Sequence, residues 1–411
     1  MRILWVKGGK LLPVDTGGKI RSYNLLRQLA ARHELTLLSY YDGPRDASYE
    51  GEIVEHFSRA VAVQTGRPES SAIDYLRHIF SPAPYAVTKF TSEKAKRLIR
   101  EWMAARSFDV AVCDFLSASL NFPAELRTPT VLFQHNVESV LWRRQADHEP
   151  NPIKRIAFKL EAAKMTRYET RAVNRFDHVI AVSEKDRENM ARMTGRARIT
   201  VVPTGVDLKA YGQQPRNEPQ EPLLVFTGSM DWEANIDGVE HFCSEIWPRV
   251  LKAVPRARFR IVGRNPHPRV RALASESIEV TGTVPSVIDH LREAAVFVVP
   301  LRIGGGTRLK IYEAMAMGKA VVSTSVGAEG LDVEDGRDIM LADTSPAFAD
   351  SIIKLLCDRQ ARERLECAAA RLAARFDWSV IADRFEQVLA DTIRPSMKSG
   401  VPHTAAAMVS A

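Results

Sequence analysis

Apolar residues along this chain fall into short continuous runs, each followed by a glycine-bearing or polar loop and then a segment of helical period. Arg2–Val6, Glu34–Tyr40, Asp109–Cys113, Thr130–Phe133 and Phe176–Val182 read as strands buried on both faces, because they carry no regular polar alternation. Between the first two, Tyr23, Leu25, Leu26 and Leu29 give Ile20–Ala31 a helical pattern. A second series follows at Leu223–Phe226, Arg258–Val262, Ile278–Thr281, Val296–Val299 and Ala320–Ser323. Strands alternating with helices predict parallel sheets with crossover helices. Residues 209–222 are polar and proline-bearing, as a linker is. The pattern therefore predicts an α/β chain of two Rossmann-like, doubly wound domains, 1–208 and 209–375. Residues 346–375 read as helical, and Phe376 opens a last helix ending at about 394. The Ser-, Gly- and Ala-rich tail, 395–411, is expected to be disordered. Residues 42–92, with Pro44, Pro68, Pro82 and Pro84, predict no regular element.

The stretch Val296–Thr324 carries the strongest chemical signal. A buried strand ends at Pro300, three glycines follow at Gly304, Gly305 and Gly306, and helix formers run from Leu309 to a glycine cap at Gly318. First helical turns favour acidic residues, yet this one carries Arg308 and Lys310. Two cations at a positive helix end repel it unless an anion lies between them, and glycines let an anion approach the backbone. Gly304–Lys310 thus reads as a phosphate cradle, with Glu313 placed to grip a ribose hydroxyl. The competing reading is a solvated helix start with a Lys310–Glu313 surface pair. Gly17-Gly18, before the first helix, is a second and weaker candidate for phosphate contact. His135, with Asn136 and Glu138, follows the Thr130–Phe133 strand, and strand ends are where open α/β sheets bind ligands.

Composition narrows the class. Hydrophobic content of 45% and charged content of 26% over 411 residues suit a soluble globular protein, and no apolar run approaches the ~20 residues of a membrane span. The start, MRILWVKGG, lacks a signal-peptide layout, and the four cysteines lack metal-ligand spacing, so reduced thiols in the cytoplasm are expected. A net charge of +7 favours anionic partners, but nothing gathers it into a nucleic-acid motif. Glu93–Arg106 is a basic amphipathic segment of the kind that can lie on anionic lipid. Ile153–Arg175 is a longer basic helix, with Ile156, Leu160 and Ala163 on one stripe.

Glu313-Ala314-Met315-Ala316 followed by Gly318-Lys319-Ala320-Val321-Val322 resembles glycosyltransferases of the group 1 or family 4 type, as do His135-Asn136 and Pro203-Thr204-Gly205-Val206-Asp207. The resemblance implies a GT-B fold, with two domains facing across a cleft and the last helix crossing back to the first. It also implies transfer of a sugar from a nucleoside-diphosphate sugar to a saccharide or lipid-linked hydroxyl, with retention of configuration, in polysaccharide or glycoconjugate assembly. By resemblance, Gly228 and Ser229 sit by the diphosphate, Gly263, Arg264, Thr283 and Val284 line the base pocket, and Gly17 and Gly18 face the donor across the cleft. His135 stands near the donor sugar and acceptor. Arg308, Lys310 and the Gly305, Gly306 and Thr307 amides would receive the leaving diphosphate. One departure is plain: the family's first carboxylate would fall at 305, and this chain has Gly305. No Asp-x-Asp occurs, which agrees with an enzyme needing no metal or other cofactor. No carboxylate pair assigns the stereochemistry. A sugar-nucleotide epimerase of the same fold and a non-catalytic nucleotide-binding module stay open. A nicotinamide dehydrogenase does not, because neither Gly8-Gly9 nor Gly17-Gly18 fits Gly-x-Gly-x-x-Gly.

Overall fold

The computed structural model describes residues 1–65, 78, 81–105, 107–195, 198–212, 221–303 and 308–394. Gly305, Gly306, Thr307, Arg106 and the 395–411 tail lie outside the described residues.

The first sheet contains β1 (Arg2–Gly8), β2 (Glu34–Tyr41), β3 (Ala60–Gln64), β4 (Val110–Asp114), β5 (Thr130–Phe133), β6 (His178–Ala181) and β7 (Ile199–Val201). They stand in the order β3-β2-β1-β4-β5-β6-β7, and every pairing is parallel. The second contains β8 (Leu223–Thr227), β9 (Arg258–Val262), β10 (Ile278–Gly282), β11 (Val296–Val299), β12 (Ala320–Ser323) and β13 (Met340–Leu341). Its order is β10-β9-β8-β11-β12-β13, again all parallel. The central strands are buried throughout, which is why their sequences read as unbroken apolar runs. In each sheet the chain reverses its direction of winding once, between β1 and β4 and between β8 and β11. Crevices at such switch points, beyond the carboxyl ends of the strands, are the ligand positions of this architecture.

Several local expectations change. The 42–92 stretch holds a helix, Ala47–His56, and the edge strand β3. The signal for the helix was Asp46, whose side chain accepts from the Tyr49 N–H at the N-cap. The first helix starts at Gly17 rather than Ile20. A further helix, Glu138–His148, follows His135 directly. The expected helical stretch 346–375 is two helices, Ser345–Cys357 and Arg359–Ala374, parted at Asp358, whose carboxylate caps the second. The segment leading through Trp247 passes through one π turn before Pro248, which has no N–H to continue the α ladder.

The last helix, Trp378–Ile393, packs on the first sheet's domain. Phe385 stacks on Trp5 at 5.4 Å and meets Phe133 edge-on at 5.2 Å. Arg32 pairs with Asp383 and Glu386 along its outer side. The apolar positions Ala95, Ile99 and Met103 of the basic Glu93–Ala104 helix are buried, so that helix keeps no apolar stripe for lipid. Among the described residues no helix is long and apolar enough to cross a membrane.

Candidate active site

The first-domain wall is built at the β1/β4 switch point. Asp114 ends β4, fully buried, and three groups converge on its carboxylate. The Trp5 indole N–H donates to Oδ2 at 2.9 Å, Lys7 Nζ lies 3.2 Å from the same oxygen, and His135 Nε2 lies 2.9 Å from Oδ1. Burial by itself would raise the Asp114 carboxyl; Lys7 and His135 outweigh it and hold the group well below the usual carboxylate range. Burial also lowers His135, more than Asp114 raises it, so the ring is neutral at neutral pH. His135 is wedged between Phe133 and Phe115, at 4.5 and 5.2 Å between ring centroids. Its Nδ1 edge faces Gly18, where a Cβ would come within 3.0 Å of that nitrogen. The glycine pair of the first helix is therefore set against the histidine after β5, two features far apart in sequence.

Arg21, on the same helix, is buried behind this wall. Its Nε donates to Thr204 Oγ1 at 2.6 Å and its Nη1 to the His135 carbonyl at 3.5 Å. Burial pushes its guanidinium down to about 10. Glu138 sits one turn further on, and burial followed by the neighbouring Glu169 pushes its carboxyl up to about 7. Glu169 caps the Glu138–His148 helix, accepting from the Glu138 and Ser139 N–H groups at 2.9 and 3.0 Å.

The second-domain wall stands at the β8/β11 switch point, where Arg308, Lys310 and Glu313 open the Leu309–Ala316 helix. Lys310 Nζ lies 4.1 Å above the Phe226 ring and 3.4 Å from Asn235 Oδ1. Burial pushes its ammonium down to about 7, with Arg308 adding to the shift and Glu313 opposing it. Arg308 Nε and Nη2 are buried and have no hydrogen-bond partner among the described residues. Burial lowers this guanidinium too, against the pull of Glu329. Glu313 is raised by burial while the Tyr211 hydroxyl donates to it. The competing reading, a Lys310–Glu313 surface pair on a solvated helix start, is thus not what forms: both groups are turned inward.

Glycines bring these backbones together. A Cβ on Gly228 would lie 2.9 Å from Lys310 Nζ, and one on Gly263 only 1.6 Å from the Gly228 carbonyl oxygen. Gly263→Ala is accordingly expected to destabilise at the top of the ~1–3 kcal/mol that overpacking costs. Gly51→Ala, in a helix with open space, should be neutral or stabilising by up to ~1 kcal/mol; urea melts of the two variants check this. Arg264 donates to Ser229 Oγ at 3.0 Å and reaches Asp15 of the first domain at 3.4 Å. Thr283 lines a shallow pocket with Asn265, Pro266 and Gly282, whereas Val284 packs partly buried against the core.

Among the described residues the walls meet at several points. Gly17 faces Leu309, where a Cβ would stand 3.8 Å from Cδ1; Arg264 reaches Asp15; and Arg144 grips Glu329 through two hydrogen bonds of 2.8 and 2.7 Å. The structure thus gathers Gly17, Gly18 and His135 on one side and Gly228, Ser229, Gly263, Arg264, Arg308, Lys310 and Glu313 on the other. Asp114, Lys7, Arg21, Asn235 and Glu329 are additions. Only Asp114 had a sequence signal, as an acid ending a buried strand.

Two parallel-sheet Rossmann-like domains with candidate sites at facing switch points define the GT-B class of glycosyltransferase fold. A family model described as glycosyl transferases group 1 matches residues 221–358, and one described as glycosyltransferase family 4 matches residues 16–210. The chain belongs to the group 1/family 4 glycosyltransferases. It is 27% identical over 219 residues to the phosphatidyl-myo-inositol mannosyltransferase of Mycobacterium leprae, a match spanning 51% of this chain and 58% of that relative, little more than half its length. It is 21% identical over 356 residues to an uncharacterized 44.6 kDa protein in the cps region of Klebsiella pneumoniae, covering 83% of this chain and 87% of the other. HepE of Anabaena, solved with UDP and glucose, shares the fold with a TM-score of 0.66 and 16% identity, over 95% of this chain and all of that one.

Proposed function

We propose that this protein transfers a hexosyl group from a nucleoside-diphosphate sugar to a hydroxyl acceptor, with retention and without a metal, in polysaccharide or glycoconjugate assembly. The observation carrying this reading is the half-buried cation pair Arg308 and Lys310 at the start of the Leu309–Ala316 helix, with two buried guanidinium nitrogens unpartnered among the described residues. Desolvated cations and a helix N-terminus form a receptor for an anion. The hard step is departure of the diphosphate, whose oxygens gain charge as the glycosidic bond breaks. Donors held in place at those oxygens lower the barrier because no reorganisation is needed. In this reading Glu313 accepts from a ribose hydroxyl. Ser229 and Arg264 flank the donor, Thr283 lines the base side, and Gly17 and Gly18 close over it from the first domain. His135, held by Asp114, positions the sugar or the acceptor.

The bound UDP and glucose of the HepE structure support a nucleoside-diphosphate donor. The mannosyltransferase relative supports a hexose and a lipid-linked acceptor, and the cps-region relative supports a polysaccharide pathway. Four cysteines outside any disulfide support a reducing, cytoplasmic setting; a lipid-linked acceptor would bring the protein to the inner membrane face.

A melting-point screen of nucleoside diphosphates and their sugars tests the donor class. A ligand at a hundred times its Kd adds about 2.7 kcal/mol to native stability, and so raises the Tm. Cognate diphosphates should raise it in the parent protein and not in Arg308→Ala/Lys310→Ala. An equal rise in both would place the ligand elsewhere.

A further inference from the structure

The helix Pro152–Arg175 carries seven cations and two carboxylates. Both carboxylates are turned inward. Glu161 is buried, accepts from the Tyr85 N–H at 3.0 Å and pairs with Lys164 at 3.0 Å, while Glu169 is the buried cap described above. No carboxylate of this helix remains on its outer face.

Three large apolar side chains do remain there. Ile153, Ile156 and Leu160 are 79%, 61% and 49% exposed. Their spacing of three and then four positions puts them on one stripe, and Arg167 and Arg171, both exposed, continue it at seven and eleven positions beyond Leu160. Lys159, also exposed, lies at the edge of the apolar stripe. The packed side of the helix is the opposite one, with Ala162 and Met165 buried. The stripe noticed in the sequence is therefore not a core-facing stripe.

We propose that this face of the Pro152–Arg175 helix docks the protein on an anionic membrane surface, with Ile153, Ile156 and Leu160 entering the headgroup boundary and the flanking cations meeting lipid phosphates. An exposed apolar stripe among cations, with every acid of the helix turned away, complements negatively charged lipid. It does not complement a second copy of itself in register, which would set the same cations face to face. Position adds to the argument. This helix follows Glu138–His148, whose start adjoins His135 and which carries Arg144 at the domain contact, and Trp142 meets Phe158 edge-on at 5.8 Å. One helix pair thus joins the surface to the cleft, so a lipid-borne hydroxyl would arrive at the first-domain wall. Only that last link rests on the transferase reading.

Co-sedimentation of the full chain with vesicles of phosphatidylcholine, alone or mixed with phosphatidylglycerol, tests the surface without donor or acceptor. Partition into the anionic vesicles should exceed that into neutral ones by about tenfold or more and weaken as salt rises. Ile153→Ser/Ile156→Ser/Leu160→Ser should lower anionic partition by about tenfold or more. Lys159→Gln/Arg167→Gln/Arg171→Gln should erase much of the preference for charge. Because these side chains face solvent, both variants should keep the parent's circular dichroism and melting point. Partition that is absent, equal for the two lipids, or unchanged in the triple serine variant overturns the proposal. So does a parent dimer that the serine variant converts to monomer, since a second copy would then be the occupant. Vesicle binding with no response to any nucleoside diphosphate would instead count against the transferase reading alone.

Discussion

Lys310→Ala is expected to lower kcat/KM for sugar transfer by about 10²–10³-fold, the loss seen when one preorganised donor to a developing oxyanion is removed. Among the described residues the ammonium has one weak hydrogen-bond contact, Asn235 Oδ1 at 3.4 Å, and a ring face beneath it, so its removal breaks little that stabilises the fold. Steady-state kinetics beside a urea melt separates the two effects: turnover should collapse while stability changes little. Adding Arg308→Ala should deepen the loss less than additively, because both cations face one anion. A pH dependence follows from the same geometry. Burial pushes Lys310 down to about 7, so in the free protein it is largely neutral above that pH. A bound diphosphate favours the charged form and raises the pKa. Donor binding at pH 8 should therefore take up a proton, and affinity should fall as pH rises from 7 towards 9. Calorimetry in buffers of different ionisation enthalpy reads the uptake directly; equal heats in all buffers would remove Lys310 from the site.

Asp114→Ala is expected to cost about 3–5 kcal/mol of stability, since it strands the buried Lys7 charge and leaves the Trp5 indole N–H without its acceptor. Asp114→Asn also removes the counter-charge of Lys7, but it keeps the volume and an acceptor for Trp5, so it should cost less than Asp114→Ala and still fold. It loses the charge that steadies His135, and turnover should fall by about 10²-fold, as when a positioning group shifts by ~1 Å. Nucleoside-diphosphate binding should be unchanged, because the Lys310 wall is untouched; a merely structural role would move binding and turnover together. The Asp114 carboxyl is held low in the fold, so its contribution is complete above about pH 4 and is lost as pH falls further. Acid melts of the parent should show that loss, and Asp114→Asn should lack part of it.

The second-domain wall was the more legible in sequence. Arg308 and Lys310 break a local electrostatic rule beside three glycines, and both cations are turned into the protein there, among buried neighbours. The first-domain wall was only half legible. His135 stood out at a strand end, but its partner Asp114 comes from another strand, and its glycine neighbour from a helix more than a hundred residues earlier. Nothing local encodes such convergence. Val284 was read as a pocket residue and lies against the core, because a residue after a strand faces either way according to the turn that follows.

Continuous apolar runs at regular intervals were enough to determine two parallel α/β sheets, since only strands covered on both faces have no use for polar alternation. Strand order, however, is set by which crossovers pack together, and that order alone put β1 beside β4 and β8 beside β11. The same holds for the Pro152–Arg175 helix. Its periodic stripe was visible in the sequence, but which side faces water depends on where Glu161 and Glu169 find their partners, and those belong to segments distant in the chain.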